Sequence, residues 1–258
     1  MDSNSTLSNR KLLLTGLILP VFILACALTN YAIPGQESVF QFGDDLFQRN
    51  NTQPLLPTME QTQASTQEVD ISQEMLLRGI ALRDSGEFTP ALTQFDQAIE
   101  IDPLFYEAYY QRGSTKLDMD DFDGAMSDFN LAIAIDPSRA EAYNGRGVAY
   151  TKTERYEEAF NELELAIKLK PDFSEAYNNR GIVFVRLGEI SAALEDFSRA
   201  IELQEDNDEA YHNRGLARLN LGLTDQALED FQKVLSLSDD PDLRTTATEN
   251  IKAINDGQ

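Results

Sequence analysis

Residues 140–173 read AEAYNGRGVAYTKTERYEEAFNELELAIKLKPDF, and residues 174–207 read SEAYNNRGIVFVRLGEISAALEDFSRAIELQEDN. The two stretches are equally long, 34 residues, and agree wherever a small or aromatic residue stands at a set place. Continuing the register without insertion gives five blocks: 72–105, 106–139, 140–173, 174–207 and 208–241. The fourth residue of each is Met75, Tyr109, Tyr143, Tyr177 and Tyr211, and the eighth is Gly79, Gly113, Gly147, Gly181 and Gly215. The twentieth is Ala91, Ala125, Ala159, Ala193 and Ala227; the twenty-fourth is Phe95, Phe129, Leu163, Phe197 and Phe231. Self-similarity at a fixed period of this length signals a solenoid of stacked supersecondary units.

The spacing within a block predicts two helices. The fourth and eighth positions lie one turn apart on one face of a first helix, A. The glycine there costs about 1 kcal/mol in helix propensity, which close packing against another helix must offset. In the second helix, B, Ala91, Phe95, Ala98 and Ile99 form an apolar stripe that recurs as Ala125, Phe129, Ala132 and Ile133 and as Ala193, Phe197, Ala200 and Ile201. Turn signals (Ser85-Gly86-Glu87, Asp118 to Asp121, Gly188, Gly222) separate A from B, and Pro103, Pro137 and Pro171 end helix B. Glu205 and Asp239 replace that proline in the last two blocks, where the helix ends are expected to fray or bend. After Pro241, Leu243, Ala247, Ile251 and Ile254 fall at helical spacing over residues 242–258, a helix placed to cover the last hairpin.

The period and its small and aromatic positions resemble the tetratricopeptide repeat. The resemblance implies an all-α, right-handed superhelical solenoid of five hairpins plus a C-terminal capping helix, with a concave groove lined by the A helices. It implies that Tyr110, Asn144, Asn178 and His212 line that groove, followed by Ser114, Val148, Ile182 and Leu216, then Leu117, Thr151, Val185 and Leu219. Lys152 and Arg186 are local positive spots there. The family's clamp for acidic C-terminal peptides needs Lys or Arg and Asn at these places, and this chain departs from it. Its usual leucine before the glycine is also replaced in every repeat, by Arg78, Arg112, Arg146, Arg180 and Arg214. Two readings of this ladder stand: pairing with Gln94, Asp128, Glu162, Asp196 and Asp230 of helix B, or an anion-binding stripe facing a ligand.

Charge narrows the partners. From Ser72 onward 37 acidic residues face 18 basic ones, and the whole chain carries −23. Such a surface repels nucleic-acid phosphates and favours neutral or basic proteins and peptides. Glu107, Glu141, Glu175 and Glu209 at the repeat starts point the same way, or else match the helix dipole. Residues 72–241 contain no cysteine, and His212 is the single histidine, so no thiolate metal site can be assembled and His212 has no cysteine nucleophile to serve. The aspartates of 118–123 lack the ligand spacing of a calcium loop. The sequence therefore predicts a non-enzymatic binding scaffold without cofactor, with a self-associating structural repeat protein as the alternative and an accessory subunit of an enzyme as a remote one.

Residues 1–32 are of another kind. Arg10 and Lys11 precede a charge-free stretch whose apolar centre is LLLTGLILPVFILACAL, residues 12–28. Three outcomes fit: a single membrane anchor; a signal cleaved near Ala25-Cys26-Ala27; or a bacterial lipoprotein lipidated at Cys26, since Ile23 to Cys26 resembles a lipobox. The positive residues place the repeats on the non-cytoplasmic side. Residues 33–71, rich in Gln and Thr, read as a flexible linker interrupted by Val39, Phe40, Phe42, Leu46 and Phe47.

Overall fold

The computed structural model describes the backbone of residues 59–257 and the side chains of residues 71–257. The apolar N-terminal segment, Cys26 and the aromatic cluster around Phe42 lie outside the described residues. Within them every element is helical: α1 (Met59–Asp84), α2 (Phe88–Ile101), α3 (Tyr106–Asp118), α4 (Phe122–Ile135), α5 (Ala140–Lys152), α6 (Tyr156–Leu169), α7 (Ser174–Leu187), α8 (Ile190–Leu203), α9 (Asp208–Asn220), α10 (Thr224–Leu237) and α11 (Pro241–Asp256). The first ten pair in sequence as A and B helices of five hairpins, and α11 packs on α10. The fold is an all-α solenoid with a C-terminal cap.

Packing follows the repeat. Phe95, Phe129, Leu163, Phe197 and Phe231 are fully buried. So are the alanines one turn before and one turn after them on each B helix, with Val234 taking the second place in the fifth. The A-helix glycines are what admit these rings. A Cβ built on Gly181 would stand 2.5 Å from the Phe197 ring, a distance that no side chain tolerates without displacement. Consecutive hairpins share the core through Ala108, Ala142, Ala176 and Ala210, each fully buried at the third position of its A helix.

The A-to-B turn is one structure repeated. The fifteenth residue of every block has a positive φ: Gly86, Asp120, Glu154, Gly188 and Gly222. The following amide donates back to a carbonyl in the last turn of helix A: Glu87 to Leu82, Asp121 to Lys116, Arg155 to Tyr150, Glu189 to Phe184 and Leu223 to Arg218, at 2.8–2.9 Å. This is the Schellman closure of a helix C-terminus. Glycine meets its left-handed requirement without strain, whereas Asp120 (φ 59°) and Glu154 (φ 61°) carry a side chain there.

Three features differ from the sequence-based expectation. Helix α1 starts at Met59, inside the stretch expected to be a flexible linker. Residues 59–71 hold no Pro or Gly and include three Gln and two Glu, so a helix nucleated in the packed first hairpin propagates backward through them. The fourth repeat does not fray for want of proline. α8 ends at Leu203 with the same extended cap as the proline-bearing repeats. Asn207 holds the junction instead: its Oδ1 accepts from the Ala210 amide, and its Nδ2 donates to the Ser174 hydroxyl, which itself donates to the Ala200 carbonyl. Pro241, finally, the last residue of the fifth block, is the first residue of α11, and Asp240 caps that helix through the Asp242 and Leu243 amides.

Candidate functional site

The A helices touch the A helices of the next hairpin, α1 to α3, α3 to α5, α5 to α7 and α7 to α9, whereas successive B helices do not touch. A stack held closer on one side curves toward that side, so the A helices line the concave face. Their third, fourth and eighth positions are used in packing. The second, fifth, ninth, twelfth and thirteenth positions remain for the groove.

The arginine ladder belongs to the solenoid rather than to the groove. Arg112 donates to both carboxylate oxygens of Asp128 at 2.9 and 2.6 Å, Arg180 to Asp196 at 2.8 Å and Arg214 to Asp230 at 3.1 and 2.8 Å; Arg146 forks onto one oxygen of Glu162 at 3.0 and 2.6 Å. Three of these arginines also reach back to the preceding hairpin, Arg112 to Asp96, Arg146 to Asn130 and Arg214 to Ser198. Each guanidinium lies over the tyrosine three residues before it, 5.4–5.6 Å from the ring centre. Asp128 and Asp230 are buried, and a second cation joins each of them, Lys116 at 2.8 Å and Arg218 at 2.6 Å. The acidic partners with two cations escaped the sequence reading, although Lys116 and Arg218 stand one turn after the arginine in their repeats. The first repeat breaks the series: Arg78 pairs with Glu74 in its own helix, and Gln94, which stands where the acid would, has a buried Oε1 without a hydrogen-bond partner.

Several residues expected to line the groove are spent on joining repeats. Asn178 is 2% exposed, and its Oδ1 accepts from Asn213 Nδ2 at 3.0 Å. Asn144 accepts from Asn179 Nδ2 at the same distance. These carbonyls clasp the next A helix, and Asn178 in particular is not available to a ligand. An asparagine at the fifth position is followed in the next repeat by one at the sixth, but only the packing of the two A helices brings the pair together. His212 is half-buried edge-on to Phe231, with Nδ1 buried and unpaired, and burial pulls its pKa down. It acts as a packing residue. Tyr110 is half-buried between Tyr106 and Phe129, and burial raises its pKa.

What the groove presents openly is aliphatic and charged. Leu216 and Val185 are exposed, at 41% and 38%, with Val148, Ile182, Thr151 and Leu219 half-exposed beside them. Lys152 and Arg186 are exposed at the thirteenth position of α5 and α7. At the second position, Glu107 pairs with Arg139, and Glu141 with Arg139 and Lys170 at 3.7 and 3.6 Å. Glu175 and Glu209 have no ion pair among the described residues. Partial burial of the Glu209 carboxyl raises its pKa, and the neighbouring Asp208, Asp240 and Glu175 raise it further. Among the described residues no group of three or more His, Cys, Asp or Glu could hold a metal ion, and no helix is long and apolar enough to cross a membrane.

This is the architecture of a helical-repeat protein of the kind that presents a continuous concave surface. Repeats two to five are similar to the tetratricopeptide repeat: tetratricopeptide-repeat models match residues 106–139 and 208–241, and a TPR-repeat model matches residues 149–188 and 183–222. Among solved structures, a thermophilic TPR protein of Thermus thermophilus is 26% identical, with a TM-score of 0.65 over 70% of this chain and 98% of its own. MamA is 28% identical, with a TM-score of 0.51 over 61% of this chain and 92% of its own. PilW, described as a widely conserved type IV pilus biogenesis factor, shares the fold at 20% identity and a TM-score of 0.61, over 72% of this chain and 90% of its own. No curated protein matches the chain.

Proposed function

We propose that the protein is a non-enzymatic scaffold that holds a neutral or basic protein or peptide partner in the groove of its A helices, tethered to a membrane through its N-terminal segment. The observation that carries this reading is the run of aliphatic side chains, Val185 and Leu216 exposed with Ile182 and Leu219 half-exposed beside them, on a concave face whose polar neighbours are already committed to joining repeats. Water-exposed apolar area on a rigid surface is the usual mark of an interaction site. Val148, Lys152 and Arg186 border it, and His212 packs edge-on to Phe231 at the base of α9. The tether rests on the apolar stretch of residues 12–28. A scaffold so placed suits the assembly of a membrane or envelope complex.

Photocrosslinking in cells tests the groove. A photoreactive residue in place of Leu216, on the A face, is expected to yield a discrete adduct, and one in place of Lys233, on the outer face of α10, is not. Adducts from position 233 alone would sink the reading. Intact mass of the membrane-extracted protein decides the tether. An unprocessed mass means an anchor, loss through Ala25 with added lipid means a lipoprotein at Cys26, and loss of a similar length without lipid removes the tether.

A further inference from the structure

The groove has three tracks that run across the A helices. Glu175 and Glu209 form one at the second position, with Asp208 and Asp240 beside them. The aliphatic residues form the middle track: Val148, Ile182 and Leu216 at the ninth position, with Val185 and Leu219 at the twelfth. Lys152 and Arg186 form the opposite edge at the thirteenth. Eleven residues of helix separate the two charged edges, about 16 Å at 1.5 Å per residue, and about 10 Å separates the carboxylates from the ninth-position side chains. An extended strand leaves part of that width uncovered. An α-helix, about 10–12 Å across with its side chains, matches the step from the carboxylates to the aliphatic row.

The tracks do not run the full length of the solenoid. In the second repeat the ninth position is Ser114 and the thirteenth is Asp118, so the ninth position is aliphatic in consecutive repeats only from three to five, and the thirteenth is basic only in repeats three and four. Charge is unbalanced there as well. Glu107 and Glu141 have cationic partners, whereas Glu175 and Glu209 have no ion pair among the described residues, and Glu209 has the carboxylates of Asp208, Asp240 and Glu175 near it. An uncompensated acidic edge beside exposed aliphatic side chains is complementary to a segment that carries both cations and apolar residues.

Resting on the reading of the A face as the binding surface, we propose that the partner contributes an amphipathic helix with Lys or Arg along one flank of its apolar face. That helix lies across α7 and α9, its apolar face on Ile182, Val185, Leu216 and Leu219 and its basic flank over Glu175 and Glu209. This is the helix-in-groove mode of recognition, with the flanking charges fixing orientation. The opposite flank, over Lys152 and Arg186, is neutral or acidic.

Fluorescence anisotropy with the full chain tests it, using two labelled amphipathic helical peptides that share one leucine face, with lysines along a flank in the first and glutamates there in the second. The lysine peptide is expected to bind about tenfold more tightly, as two to three rim charge pairs would give. E175Q combined with E209Q reduces that preference to about twofold or less, with the glutamate peptide little changed. L216S weakens both peptides alike. Equal binding of the two peptides, both still weakened by L216S, overturns the charge assignment and leaves the groove reading standing. Binding of both unaffected by L216S overturns the groove reading itself. No binding of either peptide overturns the helical occupant.

Discussion

Arg180 and Arg78 occupy the same position of their repeats and do different work. Arg180 is largely buried and forks onto Asp196, itself buried on the partner helix of the hairpin, while Arg78 lies on the surface and pairs with an equally exposed Glu74. Removing a partner from a buried pair strands the other charge, and removing one from a surface pair strands nothing. Arg180→Ala is expected to destabilise by about 1–3 kcal/mol and Arg78→Ala by about 0.5 kcal/mol or less, read as shifts of the urea midpoint. Equal shifts would mean that the ladder contributes nothing through burial. The pairing was readable in the sequence because an acid recurs sixteen residues after each of the last four arginines. The fate of Asn178 was not. An exposed and a buried amide have the same letter, and only the approach of Asn213 from the next A helix closes the hydrogen bond.

At the scale of the element, the A-to-B turn separates what backbone chemistry demands from what the sequence supplies. All five turns need a left-handed residue, yet the second and third repeats place Asp120 and Glu154 there. The side chain costs on the order of 1 kcal/mol in that conformation, part of which a glycine returns as lost entropy of the folded backbone. Glu154→Gly is therefore expected to raise stability by about 0.5–1 kcal/mol, seen as a higher thermal midpoint. A fall would show that Glu154 makes a compensating contact. The neighbouring Arg155 stacks on Tyr150 and pairs with Glu158, so the turn is otherwise anchored. The helix ends behave in the same way. Proline follows three of the B helices, but where it is missing in the fourth repeat α8 still ends in an extended cap, and Asn207 caps the next helix through its side chain. The requirement is for the chain to leave the helix at that point, and more than one residue type meets it.

For the molecule as a whole, stability is a sum of hairpins and of the interfaces between neighbours, so the ends matter most. α11 buries Ala247 and Ile254 on Ala227, Phe231 and Val234 and holds the last carbonyls of α10 through Arg244. Truncation before Pro241 is expected to abolish hydrogen-exchange protection in α9 and α10 while leaving α3 to α6 protected. Loss of protection throughout would show that the array unfolds as one unit. The hairpins, their order and their core were determined by the sequence alone, because a period of 34 residues with fixed small and aromatic positions admits one way of stacking. Local chemistry also fixed the capping helix and offered an acid at a constant spacing from four of the arginines, and the packing of A on B closed those pairs. Only the tertiary structure decided which polar residues of the A helices stay open to a ligand and where helix α1 begins. Both depend on how closely the next hairpin, or the packed first one, approaches, and that distance is set by the sum of core side chains rather than by any one of them.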